Sequence, residues 1–358
     1  MSGRDREGSD DALAADGAGT QVPANPLEVI GTTERDRRTI TTRDKLRRYW
    51  RRFVAEPWLV MRNDWRALLG VSILLGYAVM GLLGPFVIEP TRMGHGPNSL
   101  TWFQTLEHPL GTDQYGSDIL AQTVHSTWPV LQAMLAGGIW TIFMGTLFGT
   151  VAGYKGGTVD KVLSTIIDVF INIPGLPLVI VLAAIFQPRS MIVLGVLLTI
   201  EYWASLARAI RSQVLQIRHD AFAEASRTVG MSTGTVLSKD VLPHLMPYIT
   251  VRFVASMRTV LFSAVGLYFI GVLPYGDTNW GIMLSNAYDA GALYRPRLYH
   301  WLIVPTVTII VLSIGMILLA QSLDRVWNPR VRERHKNDDR EGPEDEDVEP
   351  RSKEVTFS

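Results

Sequence analysis

The chain has 358 residues, 47% of them hydrophobic, and its 34 Lys and Arg balance 34 Asp and Glu to a formal net charge of zero. It contains no cysteine, which excludes disulfides, thiol chemistry and cysteine-based metal sites. The zero total conceals segregation, with arginines beside long apolar runs and acids gathered in the two ends; no nucleic-acid partner is expected from it.

Residues 1–41 are rich in Gly, Asp, Thr and Arg and cannot bury a core, so they read as a disordered tail. The opening "MSGRDREGSDDALAADG" has no apolar core of the kind a cleavable signal peptide needs. The stretch "TRDKLRRYWRRFVAEPWLVMRNDWR" at 42–66 is basic and aromatic, and reads as a juxtamembrane segment with Trp and Tyr at headgroup depth against membrane lipid.

Six apolar runs follow, each long enough to cross roughly 30 Å of hydrocarbon. They are Ala67–Ile88, Val130–Gly153, Val162–Phe186, Met191–Ile210, Tyr248–Val272 and Trp301–Gln321, the fifth interrupted by Arg252 and Arg258. Lys and Arg concentrate before the first run, around 154–161, over 208–239 and after the last run, whereas 89–129 holds only Arg92. The positive-inside rule therefore puts both termini and residues 211–247 in the cytoplasm of a multi-pass plasma-membrane protein. The division expected is a tail at 1–41, then a juxtamembrane segment, first span and start of an extracytoplasmic loop at 42–110. Spans two to six follow at 126–324, and an acidic tail, "NDDREGPEDEDVEP" included, at 325–358.

Within the second run Gly145, Gly149 and Gly153 recur every four residues and clear one helix face for close approach of a neighbour. In the third, "NIPGLPLVI" carries Pro174 and Pro177, which remove two backbone donors and predict a bend or an unwound turn at mid-depth. The run "GTVAGYKGGT" at 149–158 has glycines and a lysine without the spacing of a phosphate-binding loop. His95, His108, His125, His219, His244 and His300 are scattered, so no metal site, cofactor or catalytic site is expected. Two charges fall inside spans, Glu201 in the fourth and Arg258 in the fifth. Counted along continuous helices they share a depth of roughly 15 Å. They pair with each other, or separately face a water-filled path, or Arg258 snorkels to the interface, with Asp168 a further candidate for that path.

The stretch "DAFAEASRTVGMSTGTVLSKDVLPHLMP" at 220–247 is polar between apolar runs. Asp220 suits a helix N-cap, Gly230 a helix C′ position, Ser232 or Thr233 a second cap, and Pro243 the end of the second helix. The pattern predicts a helix–turn–helix knuckle, a lever for another protein to grip.

"EAS" at 224–226, Gly230 and "LP" at 242–243 resemble the EAA signature of binding-protein-dependent ABC importer permeases. "HPLGTDQYGSDIL" (108–120), "GYKGGTVDKVLSTIIDVFINIP" (153–174), "LARAIRSQVL" (206–215), "NWGIMLSNA" (279–287) and "LDRVWNPRV" (323–331) are similar to the C-type subunit of the dipeptide, oligopeptide and nickel branch. Ser226 replaces the third alanine of the signature, and Ala264 stands where relatives often carry a glutamate. The resemblance implies an all-α fold of six transmembrane helices, the type I ABC importer transmembrane domain. It implies that Glu224, Ala225, Ser226, Gly230, Leu242 and Pro243 couple the chain to two cytoplasmic ATPase subunits. It further implies a second, B-type permease subunit, and an extracytoplasmic substrate-binding protein facing the 89–129 and 273–300 loops; ATP is hydrolysed on the partners. The alternative is a secondary transporter or channel driven by an ion gradient, for which Glu201 and Arg258 would be the working charges.

Overall fold

The structure, a computed structural model, describes residues 64–90, 96–218, 241–273 and 279–327, with Arg62 and Gly94. The expectations made for 1–41, for most of the 42–66 stretch, for 219–240 and for the acidic tail from 328 onward lie outside these residues. Every regular element among the described residues is helical: α1 (Trp65–Val87), α2 (Ile119–Lys155), α3 (Gly157–Asn172), α4 (Gly175–Phe186), α5 (Met191–Leu198), α6 (Tyr202–Arg218), α7 (Leu242–Phe269), α8 (Trp280–Asp289) and α9 (Tyr299–Trp327). In a bilayer a helix satisfies its own backbone, which is the reason such long apolar runs take this form.

Four helices, α1, α2, α7 and α9, are long and apolar enough to cross a membrane singly. The third and fourth apolar runs are each broken instead: α3 and α4 meet at 86°, α5 and α6 at 55°. Counting each bent pair as one span gives six. The break in the third run is the one its prolines predict. Ile173, held extended before Pro174, closes α3, and Pro174 then caps α4. Pro177 falls in the first turn of α4, where a missing N–H has no intrahelical partner to lose. The fourth run was expected to be one continuous helix and is not.

One end of the bundle gathers Asp64, Lys155, Arg211 and Arg325, and is called here the basic end. Asp64 caps α1 through the Arg66 N–H (3.0 Å) and takes Arg325 from the end of α9 (3.3 Å). Gly156 and Gly157, at φ of 66° and 58°, form the tight corner between α2 and α3, so the glycines and lysine of 149–158 build a helix joint.

At the opposite end residues 96–118 fold into a cap over α2. The buried Asp113 carboxylate accepts from the Tyr115 and Ser117 N–H groups (2.8 Å each) and from Gln122 Nε2 (3.0 Å). Asp118 then caps α2 through the Leu120 N–H (2.8 Å) and lies 3.3 Å from His108 Nδ1. The region 273–300, read from sequence as an outer loop, contains α8. Trp280 and Met283 of α8 are fully buried, and Trp280 Nε1 donates to the Thr123 carbonyl (3.2 Å). Tyr77 of α1 packs edge-on against the Trp280 ring and donates to the Thr308 carbonyl (2.6 Å), joining α1, α8 and α9.

The glycine stripe of α2 is the seat of α6. A Cβ at Gly145 would stand 2.7 Å from Leu206, at Gly149 2.6 Å from the Ala207 carbonyl oxygen, and at Gly153 2.8 Å from Val214. The spacing in the sequence thus foretold a helix-packing seam. At Gly149 the obstacle is backbone, which cannot swing aside. We expect Gly149→Ala to lower the thermal unfolding midpoint of the detergent-solubilised chain by several degrees, as overpacking of about 1–3 kcal/mol would. Gly76→Ala, where an added Cβ meets nothing within 4 Å, serves as the control and should leave the midpoint unchanged.

Candidate functional site at two helix breaks

The break between α5 and α6 begins at Thr199, whose hydroxyl is fully buried and donates back to the Gly195 carbonyl (3.0 Å). From there the chain tightens into i→i−3 bonds: Ile200 N–H to Leu197 O, Tyr202 N–H to Thr199 O, and Ala204 N–H to Glu201 O. The Ile200, Tyr202 and Ala204 N–H groups thus keep partners inside the bend. Its side-chain product is Glu201, half-buried and directed at the other break. A Cβ on Gly175 would overlap the Glu201 carboxylate, so that carboxylate fills the space a side chain would take at the start of α4. The positive end of the α4 dipole favours an anion there.

The two breaks and one face of α7 enclose a partly open cavity of about 500 Å³. Gly175, Glu201, Tyr202, Thr259, Ser263 and Gly266 are among its walls, and among the described residues Glu201 is the sole carboxyl or basic group in the lining. The remaining walls are mostly aliphatic and aromatic.

The other sequence candidates are distributed differently. Arg258 is exposed on α7, one residue before Thr259, and does not line this cavity. No ion pair joins it to Glu201 among the described residues. The paired reading is corrected on that point. Its depth count assumed a continuous fourth helix, and the 55° break redirects Glu201 toward Gly175 instead. Asp168 is also outside the cavity. It pairs with Arg208 across α3 and α6, both side chains more than half exposed.

Beside that pair the sequence reading missed Asp160, which Arg211 grips with two hydrogen bonds through Nε and Nη2, the latter at 2.7 Å from Oδ2. This forked geometry ties the basic-end half of the third span to that of the fourth. The available signal was two acids at the start of the third run, Asp160 just before it and Asp168 within it, and two arginines, Arg208 and Arg211, at the end of the fourth; the arginines had been counted only for orientation.

Of the coupling residues, Glu224, Ala225, Ser226 and Gly230 lie outside the described residues. Leu242 and Pro243 begin α7. Pro243 was expected to end a helix; it stands in the first turn of one, where proline fits without losing a bond. The residues that flank the coupling stretch are held together. Val214 of α6 with Val241 and Leu245 at the start of α7 share one buried apolar cluster with Tyr154 at the end of α2. Leu242 packs against the same cluster. Both roots of the 219–240 segment therefore rest on one base. Among the described residues no three His, Asp or Glu side chains converge as a metal site would require.

The family described as "Binding-protein-dependent transport system inner membrane component" matches residues 145–333, from the glycine stripe of α2 to beyond α9. Among curated relatives, the dipeptide transport system permease protein DppC of Bacillus subtilis (strain 168) is 27% identical over 294 residues, covering 81% of this chain and 89% of the relative. The oligopeptide transport system permease protein OppC of the same organism is 25% identical over 315 residues, 87% of this chain and 99% of its own. The glutathione transport system permease protein GsiD of Pectobacterium atrosepticum is 26% identical over 297 residues, 82% and 93% of the two chains. These relatives are permease subunits, and the reading as an ion-driven secondary transporter or channel is set aside. The match covers the end of α2 and all of α3 to α9, the part of the bundle that holds both breaks and the cavity, and the chain belongs to the family of inner membrane components of binding-protein-dependent transport systems.

Proposed function

We propose that this permease subunit forms half of a translocation path for peptides or related small solutes in an ATP-driven importer. A second, B-type permease subunit would supply the other half. Two ATPase subunits would bind at the basic end, and a substrate-binding protein would deliver solute at the opposite end. Both termini would then be cytoplasmic, in keeping with the concentration of Lys and Arg at that end. The substrate class is inferred from the dipeptide, oligopeptide and glutathione systems named for the relatives.

The observation that carries the mechanism is the shared base of the 219–240 segment. Val214, Val241, Leu245 and Tyr154 tie its two roots to the end of α2. A segment gripped by an ATPase would then move α2, α6 and α7 together, because a packed apolar cluster shifts as a unit more readily than it shears. Glu224, Ala225, Ser226, Gly230, Leu242 and Pro243 are the residues assigned to the grip. Closure of the ATPase pair on ATP would tilt these helices and re-form the cavity at the two breaks. Glu201 lies on the path under this reading; Arg258 and Asp168 are candidates for its margins.

Uptake into proteoliposomes of the assembled importer, with ATPase retention followed by affinity co-purification, tests the grip. Glu224→Lys and Gly230→Pro should each abolish uptake, with release or uncoupling of the ATPases, while the chain still inserts. Normal uptake with normally bound ATPases in both variants would refute it. Removal of residues 1–38 or 338–358 should leave uptake within about twofold of the full chain, since neither end carries the apolar content of a core. Loss of assembly on either truncation would make that end a docking element.

A further inference from the structure

The cavity at the two breaks has a chemical bias that the family assignment does not supply. It pairs one carboxylate, Glu201, with largely apolar walls. Among the described residues no cation neutralises that carboxylate: Arg258 does not reach it, and Arg208 and Arg211 are engaged by Asp168 and Asp160. Thr259 and Ser263, one turn apart on α7, face the same space. The Thr259 hydroxyl spends its proton on the Ala255 carbonyl (3.2 Å), which leaves its oxygen lone pairs as acceptors. Acceptors without a cation of their own suit a ligand that brings donors, and an ammonium group brings three. At about 500 Å³ the cavity falls within the roughly 300–1,000 Å³ of small-molecule sites.

A carboxylate in the spanning region is costly unless it has a use or a partner. Glu201 is kept in place by fit, since its carboxylate occupies the volume that any side chain at residue 175 would claim. Glycine at 175 is thus a condition for the charge to reach the cavity.

We propose that Glu201 is a specificity-determining residue of the path, a cation subsite that receives an ammonium group of the passing solute, such as the free amino terminus of a peptide, with the Thr259 and Ser263 oxygens as further acceptors. This rests on the reading of the cavity as part of the translocation path. Its geometry, two touching helix breaks with one carboxylate that has no ion-pair partner among the described residues, is independent of which solute the substrate-binding protein delivers.

The absence of native cysteine allows a direct test in the full importer, assembled with cysteine-free partners. Ser263→Cys places a thiol in the cavity wall. Its modification rates by a cationic trimethylammonium and an anionic sulfonate methanethiosulfonate reagent are followed by mass spectrometry of this chain, and their ratio is normalised to that for 2-mercaptoethanol. One negative charge nearby with no cation beside it should raise the normalised ratio about tenfold above unity. Adding Glu201→Gln should return it near unity, and Glu201→Asp should keep it raised. The second arm is ATP-driven uptake of trialanine. Glu201→Gln should slow it about tenfold while substrate-binding-protein-stimulated ATP hydrolysis persists, Glu201→Asp should recover most of the rate, and Gly175→Ala, which displaces the carboxylate, should behave like Glu201→Gln. A normalised ratio near unity in Ser263→Cys alone overturns the proposal even if the Gln variant does not assemble. So does a ratio that falls with Glu201→Gln while trialanine uptake is unchanged. Wild-type importer that takes up no trialanine would instead count against the peptide reading, and the reagent ratio would still decide whether Glu201 presents a cation-attracting cavity.

Discussion

The close approach of α6 to the glycine face of α2 is the constraint on which the rest of the architecture depends. Between lipid-facing helices there is no hydrophobic gain to be had from leaving lipid, so backbone proximity and packing must hold the contact. Gly145, Gly149 and Gly153 let α6 settle against α2 along its length, and Gly195 does the same for α5, where a Cβ would collide with the Ala133 carbonyl. The two halves of the fourth span are therefore fixed separately against one helix. The bend between them is dictated by the two seats, and Thr199, bonded to the Gly195 carbonyl, closes the gap between them. Glu201 reaches Gly175 because that bend is held.

The third span is attached less tightly. Its basic-end half is held to α6 by the Asp160–Arg211 fork and the Asp168–Arg208 pair, while its other half, α4, buries only Val179 and Ala183. An exposed pair such as Asp168–Arg208 adds little by itself, whereas the forked, less exposed pair orients its partners. The cavity thus has one firmly seated wall, formed by the fourth span and α7, and one wall with few buried contacts.

Much of this was legible in the sequence because lipid leaves few choices. Apolar runs of sufficient length must be helical, the i, i+4, i+8 glycines must face a neighbour, and Pro174 and Pro177 must bend or unwind theirs. The α5–α6 break was not legible because neither proline nor glycine marks it. It arises where two packing seats disagree in direction, a property of α2 and not of residues 199–201. Glu201 itself was the one local sign. Its depth was counted on a straight helix, which is why Arg258 was weighed as its partner and the space above Gly175 was not. α8 escaped notice because ten residues are too few to span and its burial comes from Tyr77 and Thr123, distant in sequence. Asp160 was hidden by treating basic residues near the membrane only as markers of sidedness.

The length of α2 carries a mechanical consequence. Its 37 residues make a rod of about 55 Å, nearly twice the roughly 30 Å of hydrocarbon it crosses. Its first turns are clasped by the Asp113 cap and its last by the Tyr154 cluster. Pro129 lies inside it, ten residues from its start, so the longer stretch from there to Lys155 is the part free of a proline. A sideways push on the Tyr154 end of that stretch is a lever action: it is delivered along a single helix to the level of the α5 seat at Gly137.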